Sequence, residues 1–514
     1  MPEYYVSTSG DDTKNGSILE PWKTFSYAIS RLVAGDTLFI RGGTYNQQFL
    51  MTNKNGTVAN PITIQNYSGE KVIMDATGIT FPPNEHGELE LVGCAYIVID
   101  GVSVENSVNR GIILWTSHHI TVKNCYTYNT FNSGISTWYC HDLFITNNEI
   151  VLANNGGYDE NISIASTSYN VEVSYNNVHD GGPGGAGAGG EGINIKDGCY
   201  NVIIHHNKVH DDPKLGFSVD AWTNGCHNIK FYDNEAYNLM YGYILESEEG
   251  GLSQDLWVYN NKAWNCSQAG YSIPEWGIAG PVDKLYFINN LAYSCQRGFW
   301  VKHANITNSF FVNNILSNNN VQIEQIKGSE GKVTIDNNLY YGNTTGYLGT
   351  KAIVGDPKFV NAGIYDFHLK SDSPAIGVGS FVNAPIDDFD GVIRGSLIDI
   401  GPYEFQGDNS VTTNVNMTGI SSGNLPTDPV SITVSTDKPA LFSNIVVNYS
   451  SPQPTGTIVL TPASGAIGVA ISTVTVKNDK PTNNTTVRTF KVTFQTSATN
   501  PPTLDPIADI IITI

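Results

Sequence analysis

The chain has 514 residues and carries 27 basic against 48 acidic side chains, a formal charge of −21, so the phosphate-neutralising surface that nucleic-acid binding needs is absent as a global property. With 15% charged residues, 40% hydrophobic residues and 51 glycines it reads as a turn-rich folded protein, too long for one ordinary core. No run of about 18 apolar residues occurs, so no partner membrane is expected, and the seven cysteines contain no CxxC pair, so buried thiols are expected in place of a zinc or disulfide framework.

The opening Met1-Pro2-Glu3-Tyr4 lacks a charged n-region and an apolar h-region. Strand-like Tyr4–Gly10, a helical spacing over Thr24–Val33 and the segments Gly35–Ile40 and Gly42–Tyr45 predict an N-terminal cap over about 1–45. A short strand pattern ending in Asn then recurs, with terminal Asn residues at 124, 148, 177, 207, 234, 261, 290, 314 and 338, spaced 24–30 residues apart. No helical pattern intervenes. A period of this length made of short β segments predicts a solenoid whose strands stack in parallel. The recurring Asn suits a left-handed corner and a hydrogen bond to its counterpart one coil away. The fold class expected is therefore all-β: a right-handed parallel β-helix over 1–408 with a C-terminal β-sandwich module.

Within the coils a second strand follows a Gly, as in Gly192-Ile-Asn-Ile-Lys196, Gly216-Phe-Ser-Val-Asp220 and Gly242-Tyr-Ile-Leu-Glu246. The first and third positions after that Gly are apolar and face the core, so the second and fourth face out. The fourth-position column reads Trp115, Trp138, Ala165, Lys196, Asp220, Glu246, Pro274, Lys302. Lys196, Asp220 and Glu246 are thus expected on consecutive rungs about 4.8 Å apart, projecting into open solvent. Neighbouring carboxylates push their pKa values apart, as a nucleophile and a general acid require, and the short spacing favours a retaining glycosidase. Asp220 is expected as nucleophile, Glu246 as acid/base, and Lys196 as the cation that keeps Asp220 ionised. Trp115, Trp138, Trp222, Asp197, Glu191, Glu248, Glu275, Lys302 and His303 are expected to bind substrate. The glycine-rich tract Gly181–Gly190 reads as a flap over the cleft, with Glu191 at its base.

Turn-rich phrases over about 353–408, among them Asp356-Pro-Lys-Phe359 and Asp399-Ile-Gly-Pro-Tyr-Glu404, predict a closing segment. From about 409 to 499 Thr, Ser, Val, Asn and Pro dominate, and strands such as Val430–Val434 and Thr489–Phe494 at short spacing predict an immunoglobulin-like module, followed by a linker or further module over 500–514.

The opening and closing phrases resemble those of bacterial secreted β-helix proteins of the pectate-lyase-like superfamily. Gly216-Phe-Ser-Val-Asp-Ala-Trp222 followed by Tyr243-Ile-Leu-Glu-Ser-Glu-Glu-Gly250 resembles the paired strand motifs of the β-helix β-xylosidases of glycoside hydrolase family 120. The resemblance implies an Asp nucleophile and a Glu acid/base one coil later, which fall on Asp220 and Glu246. It also implies a bacterial protein, secreted or at the cell surface, that is a monomer with a poly- or oligosaccharide as its partner and no required cofactor. Two alternatives stand beside hydrolysis. One is a lyase that removes a proton from a uronate with Lys196 or Lys302 while Ca²⁺ sits among the acids; the other is a non-catalytic glycan-binding β-helix.

Overall fold

The computed structural model describes residues 2–82, 86–182, 189–326 and 328–406, and beyond them 413–421, 429–463, 468–478, 485–494 and 503–504. Two units are distinguished, residues 1–369 with 373–404, and residues 370–372 with 405–514. In the first, the successive coils build three parallel sheets, of 14, 11 and 13 strands. The solenoid is the parallel β-helix that the period predicts.

Register is continuous along the 11-stranded sheet, here called the site wall, where Ile193, Phe217, Tyr243, Tyr271, Phe299 and Ile323 lie opposite one another on successive rungs. These side chains are buried and stack at the interior, with ring centroids of Phe217 and Tyr243 4.9 Å apart and of Tyr243 and Tyr271 5.0 Å apart. A slip of one residue would turn this whole set outward, so the buried rings hold the register that aligns the outward residues. All seven cysteines are buried and unpaired.

The sequence reading gave one recurring Asn two tasks; the structure divides them between neighbours. Asn147, Asn260, Asn289, Asn313 and Asn337 are left-handed, with φ of 53–59°. The residue after each is buried and belongs to the ladder Asn148–Asn176–Asn207–Asn234–Asn261–Asn290–Asn314–Asn338, in which every side-chain amide up to that of Asn314 donates to the next member. In the third of these coils Tyr175 takes the left-handed corner and Asn176 the ladder position, so Asn177 starts the next strand instead.

At the front, Glu3–Val6 pairs in parallel with Thr37–Ile40, so the cap is built from the first rungs themselves. The predicted helix is Phe25–Arg31; the Thr24 hydroxyl accepts the Tyr27 N–H at its N-terminus, and Phe25, Ala28 and Ile29 are buried against the solenoid. The closing segment runs back along the left-handed corner: Asn337, Asn313, Asn289 and Asn260 donate to the carbonyls of Val378, Ser380, Asp399 and Asp387.

The second unit has two antiparallel sheets, Thr413–Met417 with Gly456–Pro462 and Phe442–Asn448, and Val430–Thr436 with Gly468–Asn478, Thr485–Phe494 and Thr503–Leu504. They share a core that includes Met417, Ile458, Leu460, Val474, Val476, Phe490 and Val492. Apart from Thr503–Leu504, the expected linker over 500–514 lies outside the described residues, as do 183–188 of the expected glycine-rich flap.

Candidate active site

The site is built on three adjacent strands of the site wall, Ile193–Lys196, Leu215–Asp220 and Tyr241–Glu246. Lys196 lies opposite Asp220, and Asp220 opposite Glu246. Phe217, Val219, Tyr243 and Leu245 fill the interior, so the alternation sends Asp220 and Glu246 to the outer face together. The expectation that they project into open solvent is overturned: Asp220 is 2% exposed and Glu246 4%.

The cover comes from the polar turns that follow the two strands, which bond to each other and to the acids. The Glu248 N–H donates to Asp220 Oδ1 at 3.3 Å, the Gly251 N–H donates to the Trp222 carbonyl at 2.8 Å, and the hydroxyls of Ser247 and Ser253 donate to the carbonyls of Gly251 and Glu246.

Charge is distributed unequally between the two acids. Lys196 Nζ lies 3.3 Å from Asp220 Oδ2 and 3.6 Å from Glu160 Oε1, and 4.5 Å from the centre of the Trp222 ring. Burial opposes the charge on Lys196, but Glu160 and then Asp220 outweigh it and hold the ammonium above the ordinary lysine range. Burial also raises Asp220, and Lys196 and the Glu248 N–H offset only part of that rise. Glu246 is raised well above the ordinary glutamate value by burial, then by Asp220 and Glu248. Its Oε2 is buried without a hydrogen-bond partner among the described residues. Glu246 therefore holds its proton the more tightly of the two.

The other expected residues fall into three groups. Trp115 and Trp138 are half-buried and stack at 5.5 Å, with His86 stacked on the far side of Trp115 at 5.0 Å and the Arg110 guanidinium 5.4 Å from the Trp138 ring centre. Near the acids, Glu248 is half-buried and raised by burial and Asp220, and Glu191 is pushed up to about 7 by burial and Glu160. Asp197 is occupied elsewhere: its Oδ1 accepts from the Thr223 hydroxyl and from both the backbone N–H and the side-chain amide of Asn224, fastening the turn after Asp220. On the next rungs, Glu275 is exposed and accepts the Ala304 N–H, and Lys302 sits 4.6 Å from the Trp300 ring centre. His303 is 1% exposed, its Nδ1 accepting the Asn305 N–H. It is covered to the same degree as the two acids.

Glu160, His86, Tyr241, Ile244 and Trp300 escaped the sequence reading, whereas Trp276 lies on the rungs where the sequence places a subsite. Glu160 touches Lys196 and precedes Ile162 by two residues, as Glu191 precedes Ile193, the partner of Ile162, an alignment that the flap reading of Glu191 did not use. His86 reaches Trp115 from a loop outside any periodic pattern. Beyond Glu246, Tyr241, Ile244, Trp276 and Trp300 form an apolar patch on the outer face. The acids thus lie between two aromatic flanks. One oxygen from each of Asp220, Glu246 and Glu248 comes within 4.8 Å of the others, a set that could also hold a hard cation such as Ca²⁺.

Residues 4–190 match the family model described as the Pel9A-like right-handed β-helix region, in keeping with a right-handed solenoid. The match ends before Lys196, so the three charged rungs lie outside it. The chain is 31% identical over 128 residues to the uncharacterized protein YwoF of Bacillus subtilis, covering 23% of this chain and 27% of that protein. It is 34% identical over 82 residues to pectate lyase PEL9 of Emericella nidulans, covering 16% of this chain and 20% of that enzyme. The chain thus spans about a quarter or less of the curated relatives it matches. The solved complex of XylC with xylose shares the fold, with a TM-score of 0.52 at 14% identity over 78% of this chain and 98% of that one.

Proposed function

We propose that the chain is a retaining glycoside hydrolase acting outside the cell on a plant or algal poly- or oligosaccharide. The observation that carries this is the unequal pair: Asp220 with an ammonium and a backbone N–H, and Glu246 beside it with no ion pair among the described residues and a buried, unpartnered oxygen. Asp220 attacks the anomeric carbon and forms a glycosyl ester, while Glu246 gives its proton to the departing glycosidic oxygen. Glu246, now ionised, then takes a proton from the water that cleaves the ester, which returns both groups to their starting states. Carboxylates about 5–5.5 Å apart act in this way, whereas inverting pairs stand about 6.5–9.5 Å apart. The approach of Asp220 to Glu246 within 4.8 Å favours retention. The flanking rings, Trp115 and Trp138 on one side and Tyr241, Trp276 and Trp300 on the other, suit the apolar faces of sugars. We further propose the C-terminal unit as an immunoglobulin-like spacer.

A lyase is the second reading, favoured by the Pel9A-like match, by the name of the fungal relative and by the trio Asp220, Glu246 and Glu248. In it the trio would hold Ca²⁺ against a uronate carboxylate, and Lys302 would take the proton. Lys196, kept charged between Glu160 and Asp220, is a poor base. A panel of plant and algal glycans, read for new reducing ends and for the ultraviolet absorbance of an unsaturated uronate, separates the two. Hydrolysis gives reducing ends without that absorbance, persists in EDTA and is lost in Asp220→Asn; an unsaturated product that EDTA abolishes overturns the reading. Unchanged glycans that still bind to both proteins would mark a binding module.

A further inference from the structure

A second cluster of chemistry-bearing side chains lies on a different wall of the solenoid. His118 and His119 open the strand His118–Lys123, and His141 and Asp142 open the next strand of the 14-stranded sheet, His141–Thr146, with His118 opposite His141. The Nδ1 atoms of His118 and His119 are 2.8 Å apart, Asp142 Oδ2 is 2.8 Å from His141 Nδ1 and 3.8 Å from His119 Nδ1, and one nitrogen from each of the three histidines lies within 4.8 Å of the others. Tetrahedral ligands with bonds of about 2.0–2.1 Å stand about 3.3 Å apart, so this N₃O set brackets the first shell of a zinc-class ion.

His119 stands at the end of a ladder of left-handed residues. His119, Asp142, Asn170, Asn201 and Asn228 all have φ of 52–55°, a region in which Asn, Asp and His are each enriched. From Asn228 the side-chain amides donate in turn to Asn201, Asn170 and Asp142 Oδ1. Where the next Asn would continue the ladder stands His119, and Asp142 turns its second oxygen toward the imidazoles. His118 and His141 are also stacked face to face at 4.8 Å, with Tyr169 stacked on the far side of His141 at 4.8 Å, which limits rotation of the rings.

We propose that His118, His119, His141 and Asp142 form a binding site for a divalent transition metal of the zinc class, clamping two neighbouring coils. The donor set is imidazole-rich with one carboxylate, which suits Zn²⁺, Co²⁺, Ni²⁺ or Cu²⁺ over Ca²⁺ or Mg²⁺. It is independent of the acidic rungs, which offer oxygen only.

The test uses the full chain without a histidine tag, stripped with a chelator and titrated with Zn²⁺ against a chromophoric competitor. One equivalent is expected to bind with a Kd of about 10 μM or tighter. His119→Asn restores the residue the ladder favours, so it should fold as well as the parent while its Zn²⁺ affinity falls at least about tenfold. His206→Asn is the control. His206 belongs to another adjacent pair with Nδ1 atoms 2.8 Å apart, but the ring stacked on His205 from the next rung is Tyr232, where His118 has His141. Co²⁺ should give the visible absorption of a tetrahedral complex in the parent and in His206→Asn. Binding weaker than about 10 μM in the parent, or equal binding in folded His119→Asn, overturns the site.

Discussion

Two columns of the same solenoid use stacking to opposite effect. Along the asparagine ladder every rung repeats a group that both donates and accepts, so Asn234 donates to Asn261 and receives from Asn207. Along the site wall the stack sets acid against acid, with Asp220 beside Glu246, and leaves Glu246 Oε2 unpartnered. Repetition stabilises when the repeated group is its own complement and costs stability when it is not. Under the proposed function, this self-conflicting column inside a self-satisfying fold is the place where stability is given up for chemistry.

The comparison can be broken first at its functional end. Asp220→Asn and Glu246→Gln should each lower kcat on the active glycan by about 10³-fold or more with the fold intact, and steady-state rates beside circular dichroism check this. The largest stability effect belongs to the other column. Asn234→Ala removes an acceptor for the Asn207 N–H and side-chain amide deep in the ladder, and should cost about 2–4 kcal/mol in denaturant unfolding.

Glu246→Gln sharpens the contrast, because it should raise the melting temperature at neutral pH by a few degrees while activity is lost. The sign follows from linkage. A carboxyl whose folded pKa is raised binds its proton more tightly when folded, so its contribution falls as pH climbs above the unfolded value of about 4.3. Glu246 shares this direction with Glu191, raised to about 7, and with Glu88 and Asp233, each raised to about 8. The parent should therefore melt higher near pH 5 than near pH 8, and Glu246→Gln should shrink that difference; thermal scans across this range give both numbers. The smallest effect is expected at the platform, where Trp138→Ala should raise KM about 5–10-fold and leave kcat nearly unchanged.

What the sequence makes legible here is whatever repeats. The period defined the coils, and the apolar first and third positions put Lys196, Asp220 and Glu246 on one face in consecutive rungs, where the structure has them. The turns that follow Asp220 and Glu246 do not repeat, and there the reading failed. That Asp220 and Glu246 are covered depends on the Ser247–Gly251 turn bonding to Asp220 and Trp222, and no periodicity encodes such contacts between coils. Asp197 is expected to bind substrate, yet its partners lie in the Thr223–Asn224 turn. The double task given to each terminal Asn hid the distinction between the left-handed corner and the ladder, which only backbone angles and partners separate.

The central claim concerns which atom of the protein bonds to the sugar. Nuclear magnetic resonance of the first product released from the active glycan, before mutarotation, gives the anomeric configuration directly. Attack by Asp220 predicts the configuration of the substrate. An inverted anomer, or a product with a carbon–carbon double bond in place of a new hydroxyl, would contradict it.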